Sequence, residues 1–129
     1  MPQVVTIFKN IRETETPFFK DVTYILNRIK DGKSKELVKN IRGEKNKNIR
    51  NELKKELPAV CFSGQFNKRA DSSIVDHSGL ICLDFDGYDK QKDLLEDKEN
   101  FQNNKFVFSV FVSPSGNGLK VLVKIPSEP

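Results

Sequence analysis

Short apolar runs, separated by polar and glycine-rich segments, predict five β-strands along the chain. The runs are rich in β-branched and aromatic residues, which favour extended structure. One of them, LICLDF, has four consecutive apolar residues and is typical of a strand covered on both faces. The last two runs, KFVFSVFV and LKVLVKI, are joined by SPSGNG and predict a hairpin with a glycine-rich loop. The five predicted strands lie at 4–8, 59–62, 80–85, 105–112 and 119–125.

Apolar residues at helical spacing predict four helices between these strands. The first helix, over 17–30, has Thr16 as its N-cap and Pro17 at its first position. The other three are predicted at 34–43, 46–56 and 89–101. Because helices and strands do not alternate strictly, the order favours an α+β fold with a largely antiparallel sheet. We expect all five strands in one sheet, with the first helix packed on it through Phe18, Val22, Ile25 and Ile29.

The length and the charge distribution narrow the class of protein. A chain of 129 residues has the size of one domain, with an N-terminal part at 1–57 and a sheet-rich part at 58–126. Between 28 and 69, thirteen Lys and Arg residues stand against five acids, whereas seven acids stand against three lysines between 84 and 99. This uneven distribution of charge is typical of a protein that binds a polyanion near metal ions, although solvated helix faces give the same pattern.

The composition also bears on the cellular setting. The chain has two cysteines, its opening MPQVVTIFKN lacks the apolar segment of a signal peptide, and both features favour a reducing interior. No stretch approaches the ~20 apolar residues that a membrane span needs. We therefore expect a cytoplasmic protein with no membrane partner.

Two acids at the end of an apolar run are the first candidate for chemistry. Asp84 and Asp86 follow Leu83 with one residue between them, so in a strand they point to the same face while Phe85 points to the other. Adjacent carboxylates repel each other unless a cation lies between them, and Mg²⁺ prefers such oxygen ligands. The spacing predicts a site for Mg²⁺ or Mn²⁺, and an exposed strand-end turn is the alternative.

The second candidate is the loop SPSGNGLK at 113–120. Serine hydroxyls and glycine backbone N–H groups allow the close approach of phosphate, and Lys120 adds a positive charge at the start of the return strand. The loop is not a Walker A motif, because the GxxxxGK[ST] pattern is absent. An ordinary hairpin loop is the alternative.

Three segments, in this order, resemble the N-terminal domain of virulence-associated E (VirE-type) proteins: LPAVCFSGQFNKR, SGLICLDFDGY and SPSGNGLKVLVKI. Such proteins occur in Bacteroidetes genomes, their phages and mobile elements, and the domain is similar to the catalytic core of the archaeo-eukaryotic primase superfamily. The resemblance spans about 4–126 and is strongest from Leu57 onward. It implies an RRM-like primase-polymerase fold and a nucleotidyltransferase that makes DNA or RNA during replication of a phage or mobile element.

The resemblance also implies roles for individual residues. Asp84 and Asp86 would be catalytic and would hold Mg²⁺ or Mn²⁺, while Lys68 and Arg69 would face nucleic-acid or nucleotide phosphate. An exposed loop is the alternative for the latter two. A nucleoside triphosphate would contact Ser113, Ser115, Gly116, Gly118 and Lys120. A nucleic acid and a helicase-like ATPase domain are the other implied partners.

Two positions depart from the pattern of the resembling family. Lys120 stands where that family usually has His, and Lys holds phosphate but is a poor acid–base group near neutral pH. The family's third acid, on a later strand, has no match, since Glu128 is the only acid after Lys120. The resemblance thus implies that the domain continues beyond residue 129 in the parent protein.

The sequence is also compatible with two other functions. One is a non-catalytic nucleic-acid or protein-binding module with the same fold. The other is a haloacid-dehalogenase-like phosphatase, because LDFDG matches its nucleophile motif, with Asp84 as nucleophile and Asp86 as acid–base. That family usually has Thr or Val after the motif, where this chain has Tyr88, and it has a parallel sheet.

Overall fold

The structure, a computed structural model, describes residues 3–125 and has α+β architecture, as predicted. Four helices are present in this range: α1 Val22–Lys30, α2 Lys35–Gly43, α3 Lys47–Lys54 and α4 Gln91–Gln102. Eight strands are present as well: β1 Val4–Phe8, β2 Phe18–Asp21, β3 Ala59–Cys61, β4 Gly64–Phe66, β5 Ile74–His77, β6 Leu80–Phe85, β7 Val107–Val112 and β8 Leu119–Lys124. No helix in this part of the chain has the length and hydropathy that crossing a bilayer requires.

The strands form three small antiparallel sheets, so the prediction of a single sheet is wrong. Their orders are β2-β1-β3, β4-β5 and β6-β8-β7. Two strands that the sequence does not predict, β4 and β5, pair with each other and lie between β3 and β6 along the chain. The predicted hairpin at the end of the chain is confirmed, since β7 pairs with β8. The single RRM-like sheet implied by the resemblance is not seen in residues 3–125.

The first helix begins five residues later than the sequence predicts. Residues 18–21 form β2, and Asp21 then caps α1 by accepting hydrogen bonds from the backbone N–H and the hydroxyl of Thr23. Pairing with β1 satisfies the backbone groups of these residues, and two phenylalanines suit a strand. As a result only part of the predicted stripe is buried. Val22 and Ile25 are in the core, whereas Phe18 and Ile29 are 53% and 44% exposed.

Strand β6 is an edge strand, which corrects the expectation that it is covered on both faces. Among the strands of residues 3–125 it pairs only with β8. Its burial falls along its length from Leu80, which is fully buried, to Leu83 and Phe85, which are exposed. The acids that follow therefore emerge at an accessible end of the sheet rather than inside a core.

The sheet β6-β8-β7 separates two hydrophobic clusters. Because neighbouring residues of a strand point to opposite faces, Leu122 packs towards Val5, Val22 and Ile25, while Val121 packs towards Leu94 of α4. The face that carries Leu122 is also the face of Cys82, since these two residues pair across β6 and β8. Going along that face towards the end of β6, the next residues are Asp84 and Lys120.

Strand β4 is attached to β1 by one buried side chain. The hydroxyl of Thr6, which is fully buried, donates to the carbonyl of Gly64 at 2.7 Å and accepts from the N–H of Phe66 at 2.9 Å. Gly64 also lies so close to β5 that a Cβ there would be 2.1 Å from the carbonyl oxygen of Asp76. These contacts fix the β4-β5 hairpin beside the sheet that contains β1, and with it the position of Phe66.

Candidate functional site

Asp84 and Lys120 form an ion pair across β6 and β8. They are register partners in the antiparallel pair, so both side chains project from the same face of the sheet. The ammonium nitrogen of Lys120 donates to Oδ1 of Asp84 at 2.9 Å. The side chain of Lys120 is 34% exposed and that of Asp84 is 53% exposed, so the pair lies at a surface that a solute can reach.

The pair lines a cleft of about 830 Å³ that runs between the sheet β6-β8-β7, the helices α1 and α2, and the segment from β3 to β4. Five of its lining residues are positively charged, and Asp84 is its one acid among the residues described. At neutral pH the cleft therefore has a net positive charge and favours an anion. The five basic residues are Arg28, Lys35, Arg42, Arg69 and Lys120.

Aromatic side chains form part of the cleft wall. Phe62, Phe66 and Phe111 line it, and the rings of Phe62 and Phe111 have centroids 6.3 Å apart at an angle of 54°. Aromatic faces of this kind accept a planar ring by stacking. The cleft thus offers a ligand both cationic groups and an apolar surface. A nucleotide has the matching groups, since its phosphates are anionic and its base is a planar aromatic ring.

Cys82 also lines the cleft, one pleat along β6 from Asp84. Burial raises the pKa of its thiol, the negative charge of Asp84 raises this pKa further, and the positive charge of Lys120 opposes both effects. The thiol is therefore largely protonated at neutral pH and is a poor nucleophile. Its pKa depends on the same two charges as the ion pair.

The loop between β7 and β8 is closed by its own backbone. The N–H of Ser113 donates to the carbonyl of Gly118, and the N–H of Gly116 donates to the carbonyl of Ser113, both at 2.9 Å. Gly116 has φ of +85°, a conformation that glycine adopts without strain. These two N–H groups form hydrogen bonds inside the loop. Fewer backbone N–H groups of the loop are therefore available to a phosphate than the sequence predicts.

Arg42 of α2 connects this loop with the helical side of the cleft. Its guanidinium donates to the carbonyl oxygens of Ser113 at 3.0 Å and Pro114 at 3.2 Å. It also lies against Gly116, where a Cβ would be 3.4 Å from Nε of Arg42. A guanidinium has five N–H donors, so the residue can hold the loop and retain donors for an anion in the cleft.

Asp86 follows the end of β6, two residues after Asp84, and its side chain lies beside Gly118 of the loop. A Cβ on Gly118 would be 2.7 Å from Oδ1 of Asp86 and 3.1 Å from Oγ of Ser113. The two acids that the sequence treats as one pair therefore have different neighbours. Among residues 3–125 no group of three or more His, Cys, Asp and Glu side chains is arranged to hold a metal ion.

The two basic residues after β4 have different positions. Arg69 is half-buried, donates its backbone N–H to the carbonyl of Thr14 at 2.9 Å, and lines the cleft, whereas Lys68 is exposed. The sequence did not single out Arg28, Lys35 or Arg42, although all three belong to the basic stretch at 28–69. Their charge was the available signal, but their convergence depends on how α1 and α2 pack.

The fold and the cleft define a small α+β domain with a basic, partly aromatic cavity at the end of a three-stranded antiparallel sheet. The family model of the BT4734-like N-terminal domain matches residues 52–129, which is more than half of the chain. The chain belongs to this family. Comparison with curated proteins gave no match, and neither did comparison with solved structures.

This family assignment corrects the resemblance drawn from the sequence. The BT4734-like N-terminal domain is a distinct family, so the assignment to VirE-type domains and to the primase-polymerase superfamily is wrong. The matched range begins at Glu52 and includes Asp84, Asp86 and the loop at 113–120. The three segments that suggested the resemblance all lie within the matched range.

Proposed function

We propose that the domain binds a nucleoside triphosphate together with Mg²⁺ or Mn²⁺, with the phosphates in the basic cleft. The observation that carries this proposal is the composition of the cleft, which four further basic side chains and three phenylalanines line together with the ion pair of Asp84 and Lys120. A triphosphate carries several negative charges that the basic residues complement. A nucleobase would contact the aromatic wall.

The ion pair supports the proposal because its partners suit the two components of a metal–nucleotide complex. In the absence of ligand, Lys120 and Asp84 neutralise each other at 2.9 Å. A phosphate oxygen is an alternative acceptor for Lys120, and a divalent cation is an alternative partner for Asp84. A metal–nucleotide complex would satisfy both charges at once, whereas a phosphate alone would leave the carboxylate repelling it.

The cation would be held by the acids at the end of β6. Asp84 and Asp86 supply hard carboxylate oxygens, and Mg²⁺ normally completes such a shell with water and phosphate oxygens. Two carboxylates give only part of that shell, so we expect the cation to bind more tightly when the nucleotide is present. Nucleotidyl transfer was expected only from the rejected resemblance, and binding is therefore the function we propose.

Calorimetric titration with ATP and Mg²⁺ tests the proposal. We expect Lys120→Gln and Arg69→Gln each to weaken binding about tenfold, the usual size of one charge-assisted hydrogen bond to phosphate. Lys47→Gln is the matched control, because it removes the same charge from the exposed start of α3. Absence of binding by the wild type, or equal weakening by all three substitutions, would show that the cleft is not the site.

Nucleic acid is the second candidate ligand, because basic residues continue from the cleft onto the exposed faces of α2 and α3. Lys39, Lys45 and Lys47 are exposed there, close in sequence to the cleft residues Lys35 and Arg42. A single strand would use both the cleft and this surface. Lys47→Gln would then weaken binding of an oligonucleotide while leaving ATP binding unchanged. The phosphatase alternative is less well supported, because β6 pairs antiparallel with β8.

A further inference from the structure

The side chain of Ser113 is buried at the start of the loop that joins β7 to β8. The residue is 7% exposed, and within residues 3–125 its hydroxyl oxygen makes no hydrogen bond. A buried hydroxyl without a partner destabilises a protein, so such groups usually indicate a water, an ion or a ligand. The backbone N–H of Ser113 and its carbonyl are both engaged, by Gly118 and Arg42, so the loop fixes the position of this hydroxyl.

Three oxygen atoms converge beside Gly118. A Cβ on this glycine would lie 2.7 Å from Oδ1 of Asp86, 2.9 Å from the carbonyl oxygen of Phe85 and 3.1 Å from Oγ of Ser113. Any side chain at 118 would therefore occupy the space between a carboxylate, a main-chain carbonyl and a hydroxyl. Glycine keeps this space open, and the exposed side of the space is the side of Asp86.

We propose that these three oxygens form a binding site for a hard divalent cation, with Asp86, the Phe85 carbonyl and Ser113 as the protein ligands. Carboxylate, carbonyl and hydroxyl oxygens are the ligands that Ca²⁺ and Mg²⁺ select. The bound ion lies farther from the Gly118 Cα than a Cβ would, towards the solvent side, where water completes its shell. It also gives the Ser113 hydroxyl the partner that the protein alone does not supply.

This site deepens the proposed function, because Asp86 is one of the two acids that are expected to hold the cation there. The carboxylate of Asp84 accepts the ammonium of Lys120, whereas Oδ1 of Asp86 lies beside Gly118. The inference rests on the proposed function for the kind of ion, and it adds the Phe85 carbonyl and the Ser113 hydroxyl as ligands. It is tested with metal alone, so its outcome is independent of nucleotide binding.

Terbium luminescence gives a direct test, because Tb³⁺ replaces hard divalent cations on oxygen ligands and is excited by a nearby tyrosine. Tyr88 is two residues from Asp86, and its N–H donates to the carbonyl of Asn117 in the same loop at 3.0 Å. We expect the wild type to give a saturable signal that Ca²⁺ or Mg²⁺ displaces. Tyr88→Phe should abolish this signal, whereas Tyr24→Phe should leave it intact.

The substitutions separate this site from its alternatives. We expect Ser113→Ala and Asp86→Asn to weaken Tb³⁺ binding at least about tenfold, which is the usual effect of disturbing a metal site. Ser115→Ala, in the same loop, should change affinity by less than about twofold, and circular dichroism should show all three variants folded. Unchanged affinity in Ser113→Ala, or equal weakening by Ser113→Ala and Ser115→Ala, would overturn the proposal. Absence of any saturable Tb³⁺ binding would overturn it too, and would leave ATP binding in the cleft unaffected.

Discussion

The ammonium of Lys120 and the carboxylate of Asp84 face each other across two antiparallel strands, 2.9 Å apart, at the mouth of a cleft lined by four further basic side chains. Such half-exposed pairs contribute about 1 kcal/mol or less to stability. The pair is therefore easily exchanged for ligand contacts. Substitutions of Lys120 and of Asp84 should therefore have opposite effects on the affinity for an anion.

The first prediction uses this opposition. Without divalent cation, Asp84→Asn should bind pyrophosphate more tightly than the wild type, because it removes the carboxylate that competes for Lys120 and repels the anion. Lys120→Gln should bind it more weakly. Calorimetry in a chelating buffer measures both, and we expect changes of about three- to tenfold in opposite directions. Parallel changes would mean that the pair does not face the anion.

The second prediction concerns the attachment of β4 to β1. Thr6→Val keeps the shape of the side chain but leaves the Gly64 carbonyl and the Phe66 N–H without their hydrogen bonds. Each of the two unsatisfied buried groups costs about 1–3 kcal/mol, so the free energy of unfolding should fall by about 2–6 kcal/mol. Urea denaturation measures it. Thr6→Ser retains the hydroxyl and should lose clearly less. Equal losses would assign the effect to packing.

The third prediction compares two glycines. A Cβ at Gly64 would lie 2.1 Å from the carbonyl oxygen of Asp76, so Gly64→Ala must force β4 and β5 apart. We expect it to lower the free energy of unfolding by about 3 kcal/mol, as overpacked sites do. Gly43, in α2, has no atom within 4 Å of the same position. Gly43→Ala should be neutral or stabilising by up to ~1 kcal/mol. Thermal and urea unfolding of both variants provide the comparison.

The fourth prediction uses Cys82 as a probe of the charges in the cleft. In a Cys61→Ser background Cys82 is the only thiol, since the chain has two cysteines. Its pKa is raised by burial and then by Asp84, and Lys120 lowers it. Asp84→Asn should therefore lower this pKa and speed alkylation by iodoacetamide at pH 8, and Lys120→Gln should do the reverse. The pH dependence of the alkylation rate gives the pKa directly, and identical profiles would contradict the geometry.

Strand periodicity and local loop chemistry were sufficient for part of this structure. The β7-β8 hairpin follows from two alternating apolar runs that are joined by a short glycine-rich loop. The predicted start of α1 is wrong because the helix-start signal at Thr16 and Pro17 is local, whereas β2 forms by pairing with β1. A sequence pattern does not contain that long-range contact.

The cleft was predictable only in part for a similar reason. The basic stretch at 28–69 was visible, but Arg28 and Lys35 reach the cleft through the packing of α1 and α2 on the sheet. The different neighbours of Asp84 and Asp86 were also not predictable, because they depend on the pairing of β6 with β8, which brings Lys120 to Asp84 and Gly118 to Asp86. Periodicity puts two acids on one face but does not choose their neighbours.

Mapping the ATP–Mg²⁺ complex by NMR tests the central claim most directly. In a ¹⁵N-labelled sample, a titration should shift the backbone amides of Asp84, Lys120 and Arg69 and the side-chain Nε–H of Arg42, with one common dissociation constant. The amides of Lys45 and Lys47, on the exposed side of the helices, should move little. Shifts confined to those exposed lysines, or no saturable shifts in the cleft, would contradict the account.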